Sequence, residues 1–208
     1  MPHFRVEFRK GEEARFLSHL DLQATLEYAI RRARLPIELS QGFNPRPRLS
    51  LAAPLAVGHV GEHEILEIAL REPLLTEDIR ARLQAALPVG IAVLSVREIP
   101  VGQKSAASRL RSATYRIDMP LPIEEASTRI AELLSRQALD VEEPHKDSVR
   151  KRNIRPLILS IEATGRNELR LSVQLDAAGT VRPEQVLAFL SISGDGCRIT
   201  RESIELND

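Results

Sequence analysis

The chain has 208 residues, enough for one compact domain or two small ones. Its 29 Lys and Arg balance its 29 Asp and Glu, so no global field draws it to nucleic acid or membrane. A single cysteine, Cys197, excludes an intrachain disulfide, an iron–sulfur cluster and a cysteine-based structural zinc site.

In chain order, Phe4, Val6 and Phe8 alternate with Arg5, Glu7 and Arg9, the pattern of a strand with one buried face. Ser18 stands three residues before Asp21, a capping box that opens a helix over 18–35. Leu22, Leu26, Ile30 and Ala33 form its apolar stripe, Arg31, Arg32 and Arg34 crowd its last turn, and Pro36 ends it. His19 then sits at the positive helix end, where a neutral imidazole can act as a base or as a donor to an anion. The same four residues serve equally as a plain helix start. Residues 48–54 read as a second strand, and Leu66, Ile68 and Leu70 mark a third. Thr76 caps a helix carrying Ile79, Leu83 and Leu87, and a fourth strand spans 91–97.

The stretch 101–112 is basic and rich in Ser and Ala, and reads as a linker. The order then restarts. Tyr115, Ile117 and Met119 form a strand, a helix from about Pro122 buries Ile123, Ile130 and Leu133, and 139–143 forms a short strand. A basic insert covers 144–155; strands over 157–163 and 169–175, a short helix opened by Pro183 and a strand over 197–206 complete the chain. The expected class is α+β: two tandem ferredoxin-like (βαββαβ) halves, 1–100 and 113–208, with mainly antiparallel sheets and helices on one face. RNA-binding uses of that fold stack bases on sheet aromatics, and strand one offers Arg5, Glu7 and Arg9 instead. RNA contact is therefore expected through phosphates.

Candidate anion-binding residues are marked by charge clustering. Asn44-Pro45 makes a turn and Pro47 stiffens the residues after it, so Arg46 and Arg48, two apart, point one way from an extended segment. Two such guanidiniums can fork onto phosphate or carboxylate, or can simply keep a strand edge soluble. Arg31, Arg32, Arg34, Lys104, Arg150, Lys151 and Arg152 complete the set. His59 and His63 are four apart, but Gly58 and Gly61 argue against the helix a metal pair would need, so no metal or cofactor is expected. Gly194-Asp195-Gly196 reads as a tight turn. No apolar run is long enough to span a membrane and Met-Pro-His-Phe-Arg lacks a signal-peptide core, so a cytoplasmic chain without a membrane partner is expected.

Phe16-Leu17-Ser18-His19-Leu20-Asp21, Arg31-Arg32-Ala33, Ser40-Gln41-Gly42-Phe43-Asn44-Pro45-Arg46-Pro47 and Pro54-Leu55-Ala56-Val57-Gly58 together resemble the radical-SAM-linked protein family, a bacterial domain of unknown function. The motifs cover most of the first half. That resemblance implies Ser18, His19, Asp21, Gly42, Phe43, Asn44 and Pro45 as motif residues. Members stand fused behind a radical SAM enzyme or beside one, often near ribonuclease G and ribosomal-protein genes. It therefore implies a radical SAM enzyme as partner, in a structured-RNA or ribosomal context. The tandem outline also resembles CRISPR repeat-processing endoribonucleases, which can cut RNA without metal using a histidine on the first helix, the place of His19.

Three functions fit these features. The first is a non-catalytic accessory module that binds or presents RNA to a radical SAM enzyme. The second is a metal-independent endoribonuclease using His19. The third is a protein-binding scaffold whose arginines meet acidic partner surfaces.

Overall fold

The computed structural model describes residues 1–145, 148–176 and 179–207. The chain divides into two compact units: Met1–Leu110 together with the residues from Leu206 onward, and Arg111–Glu205. The architecture is mixed α+β, with mainly antiparallel strand pairing and four α-helices among the described residues. No helix among these residues is long and apolar enough to cross a membrane.

The first unit runs β1 (His3–Lys10), α1 (His19–Arg32), β2 (Leu49–Leu51), β3 (Val60–Ala69), α2 (Thr76–Ala86) and β4 (Ile91–Ile99). Laterally the strands lie β2-β3-β1-β4, and each neighbouring pair is antiparallel. The alternation of β1 explains the layering. Phe4, Val6 and Phe8 are buried and share one core with Leu22, Leu26 and Ile30 of α1 and Ile79 and Leu83 of α2. Burying each of these side chains contributes about 1.5–3 kcal/mol. Both helices thus cover one face of the sheet, and Arg5 and Glu7 stand on the other.

Several boundaries differ from the sequence expectation, each for a local reason. β2 is limited to Leu49–Leu51, because beyond Ala52, whose amide still reaches the Ile65 carbonyl (2.9 Å), the chain departs as a loop. Thr76 does not cap α2: the extended residue before it, Leu75, holds the cap position with no side-chain bond, and Thr76 is the first helical residue. Helix α1 ends before Pro36 acts. Arg34 takes a left-handed conformation (φ 52°), its amide donates to Arg31 O (3.0 Å), and Leu35 N donates to Ile30 O (3.2 Å). These bonds form a Schellman motif, with arginine where glycine is usual and buried Leu35 as its apolar anchor.

The second unit contains β5 (Leu110–Asp118, starting at the boundary), α3 (Ala126–Ser135), β6 (Asp140–His145), β7 (Ser148–Asn153), β8 (Ile158–Ala163), β9 (Glu168–Asp176), β10 (Gly179–Thr180), α4 (Pro183–Phe189) and β11 (Arg198–Leu206). β9 lies beside β5 and β5 beside β11, while β8 and β10 both pair with the other edge of β9. Tyr115, Ile117, Leu169, Leu171 and Val173 are buried, as are Ile130, Leu133, Val186 and Leu187 of the helices. α3 starts later than expected because Ile123 N is committed to Arg166 O (3.0 Å) and Glu125 is left-handed (φ 53°).

Two segments read as connectors carry structure. Ala106–Arg109 forms a 3-10 turn within the stretch read as a linker, with Ser105 Oγ accepting from Ser108 N, and β5 already begins at Leu110. The basic insert is a β6–β7 hairpin. Of its residues, Lys146 and Asp147 lie outside the described ones.

Candidate functional site

The motif residues before and at the start of α1 are fixed from beneath. Lys10 is fully buried, and its Nζ donates to the carbonyls of Arg15 and Leu17 (3.0 Å each). Gly58 N also donates to Arg15 O (2.8 Å). The structure thus ties the residue just before the motif over 16–21 to the end of the one over 54–58, which are far apart in sequence. The capping box is complete: Asp21 N donates to Ser18 Oγ (3.2 Å) and Ser18 N to Asp21 Oδ2 (3.3 Å). His19 is half-buried, and its Nδ1 is shut from solvent with no hydrogen-bond partner. A general base usually has its second nitrogen held by an orienting acceptor, and His19 lacks one among the described residues.

The arginine loop is a ribbon. Arg48 N donates to Glu38 O (2.8 Å), Ser40 N to Arg46 O (2.8 Å), and Arg46 N to Ser40 Oγ (3.0 Å). Gln41, Gly42, Phe43, Asn44 and Pro45 form its exposed tip, with Gly42 at φ 129° and Phe43 fully exposed. Arg46, Arg48 and Ser50 are exposed while Pro47, Leu49 and Leu51 are half-buried, the alternation an extended segment requires. No side-chain hydrogen bond or ion pair engages Arg46 or Arg48 among the described residues.

Arg48 borders a cavity of about 280 Å³ with His3, Ser50, Glu67 and Ser105. An adjoining cavity of about 390 Å³ shares His3, Glu67 and Ser105 and adds Lys104 and Gln103. The Gln103 Oε1 is buried with no donor. Two cations that sequence reasoning assigned separately, Arg48 and Lys104, therefore line neighbouring cavities. His3 was not among the residues the sequence singled out. Its only sequence signal is its place on the same alternating face as Arg5.

Arg31, Arg32 and Arg34 are exposed at the end of α1, with the Arg31 guanidinium 6.0 Å from the Tyr28 ring centre. Arg71, which no sequence cluster singled out, joins this end of the unit: its amide donates to Pro36 O (2.8 Å), and its exposed side chain has no ion pair among the described residues. A cation immediately after a strand was the available signal.

The second-unit cations are placed differently. Across the β6–β7 hairpin, Glu142 faces Lys151 and Glu143 faces Arg150, and Arg152 Nη1 lies 3.4 Å from Glu143 Oε1. Arg152 thus meets an acid of its own hairpin, while Arg150 and Lys151 stand opposite acids in the register and make no ion pair among the described residues. A count over 146–155 omits those acids because they stand on the preceding strand.

The fold and these side chains define a two-unit α+β protein whose first unit displays arginines without acidic partners. The chain belongs to the family described as "Uncharacterized protein conserved in bacteria (DUF2344)", which matches residues 3–183. No curated protein matches it. Among solved structures it is similar to a chain of a Cbf5-Nop10-Gar1 complex, with 12% identity and a TM-score of 0.47 over 98% of this chain and 48% of that one. The chain thus spans about half the length of that relative. It is also similar to an unknown protein from Galdieria sulphuraria (15% identity, TM-score 0.29, 100% of this chain and 99% of that one). A third similar structure is titled "An RAMP protein binding different RNA substrates" (10% identity, TM-score 0.24, all of both chains).

Proposed function

We propose that the chain is a non-catalytic accessory module that binds or presents RNA to a partner radical SAM enzyme. The observation that carries the RNA half is the ribbon bearing Arg46 and Arg48, exposed, two apart and without acidic partners. Arg31, Arg32, Arg34 and Arg71 extend the cationic surface, and Lys104 lines the cavity adjoining that of Arg48. Unpaired guanidiniums on a hydrogen-bonded scaffold meet phosphates with little ordering cost. The partner half rests on the motif resemblance. Within this reading both units are ferredoxin-like repeats. The shared helix and strand order, with the inserted β6–β7 hairpin, supports it, as does the edge-to-edge order of β8, β9, β5 and β11 repeating that of β2, β3, β1 and β4.

The test is RNA binding by filter retention with several unrelated structured RNAs, comparing wild type with the double variant Arg46→Ala/Arg48→Ala. The reading expects a similar loss of affinity for every RNA, since phosphate contacts carry no sequence information. Unchanged affinity in the double variant would contradict it.

A further inference from the structure

Aromatic side chains are scarce, with five Phe and two Tyr in the whole chain. Three of them stand exposed, all in the first unit: Phe16, Tyr28 and Phe43. Two of the three already meet a cation. The Arg15 guanidinium lies 4.6 Å from the Phe16 ring centre, and that of Arg31 lies 6.0 Å from the Tyr28 ring centre. Phe43 differs. It is 107% exposed, so both ring faces are open, and it makes no ring contact among the described residues. A ring left wholly in water contributes nothing to the core.

Phe43 is nevertheless held on a closed base. Leu39 pairs with Pro47, Ser40 N donates to Arg46 O (2.8 Å), and Arg46 N donates to Ser40 Oγ (3.0 Å). Only residues 41–45 remain for the tip, and Pro45 fixes one backbone angle among them. The ring therefore stands on the same short ribbon as the unpaired guanidiniums of Arg46 and Arg48. From Ser40 to Ser50 the chain carries those two cations and no acid. The other tip residues, Gln41, Gly42, Asn44 and Pro45, are exposed and offer no large apolar side chain. A Phe that anchors a protein interface sits among contacts that exclude water around it, and this tip lacks that surround. A free aromatic face beside cations is instead the arrangement that meets single-stranded nucleic acid, with the base on the ring and the backbone on the charges.

We propose that Phe43 stacks an unpaired RNA base while Arg46 and Arg48 hold the adjoining phosphates, so that the ribbon takes single-stranded segments in preference to duplex. This rests on the phosphate-binding role of the ribbon and adds the class of RNA it takes. Inside a duplex each base is already stacked and gives the ring no face to cover. Every base has a π-face, so stacking leaves the sequence unread, as the phosphate contacts do.

The experiment is filter retention of an oligouridylate, which stays unpaired, and of a long blunt RNA duplex. The full chain is compared as wild type, Phe43→Ala, Phe43→Leu and Arg46→Ala/Arg48→Ala. Phe43→Ala should bind the oligouridylate roughly 5- to 150-fold more weakly, the worth of one stacked base. Phe43→Leu, which keeps an apolar side chain without a π-face, should lose most of the same affinity. Both should hold the duplex as wild type does, and should keep the wild-type salt slope, because stacking releases no counterions. The chain has no tryptophan, so Phe43→Trp supplies a direct signal: the oligouridylate should quench its fluorescence and the duplex should not. Unchanged oligouridylate affinity in Phe43→Ala, an equal loss for the duplex, or an unquenched Phe43→Trp variant would overturn the stacking and leave the ring to a protein partner. The two failures separate. If Arg46→Ala/Arg48→Ala weakens both RNAs and Phe43→Ala weakens neither, stacking fails while the phosphate site stands. If the double variant binds both RNAs as wild type does, the phosphate site fails and the joint site with it.

Discussion

Arg34 offers the sharpest test of the local physics. It holds the left-handed position of the Schellman motif that closes α1, a conformation costing a residue with a β-carbon about 1–2 kcal/mol. Glycine escapes that cost but loses more backbone freedom on folding, roughly 0.5–1 kcal/mol. Either Arg34→Gly or Arg34→Ala removes a cation from the negative helix end, about 0.3–1 kcal/mol in each case. The informative comparison is therefore between the two variants. Arg34→Gly should exceed Arg34→Ala by about 0.5–1 kcal/mol, and should melt about 1–4 °C higher for a chain of this size. Urea and thermal unfolding followed by circular dichroism would measure this. If Arg34→Gly is no more stable than Arg34→Ala, the strain argument fails. Both variants should weaken RNA binding alike, so the glycine form would gain stability over alanine without regaining affinity.

Other single contacts make equally definite predictions. Ser18→Ala, which removes the oxygen that accepts from Asp21 N, should cost about 1 kcal/mol in urea unfolding. His19→Ala should change RNA or partner binding and no turnover. Site-specific cleavage of cellular RNA in chelator by wild type, lost in His19→Ala, would instead establish the endoribonuclease. Burial first and Asp195 second push the Cys197 thiol above its ordinary range. Its alkylation at pH 8 should therefore be slower than that of a free thiol and should quicken with rising pH; a rate at or above that of free cysteine would contradict this.

What the sequence made legible was local. Ser18 and Asp21 lie three apart, so their reciprocal bonds could be read directly, and Phe4, Val6 and Phe8 announced their buried face by period alone. What it hid was either non-local or against the usual rule. Arg34 could not be read as a left-handed residue, because glycine is the residue that signals that position. Nothing in the sequence marks Lys10 as buried, yet carbonyls five and seven residues on hold its ammonium inside. The acid that pairs Arg152 was hidden because Glu143 stands on the neighbouring strand rather than beside it in sequence. Arg5, Glu67 and Arg97 come from three strands, and only the register brings them together.

The central claim, that this chain meets RNA through phosphates on the Arg46–Arg48 ribbon, is tested most directly by the slope of log affinity against log salt concentration. Each phosphate contact contributes about 0.7–0.9 to that slope. Wild type should show a steep fall in affinity with salt, and Arg46→Ala/Arg48→Ala a slope shallower by about 1.4–1.8. An affinity that ignores salt, or a double variant with the wild-type slope, would contradict the account.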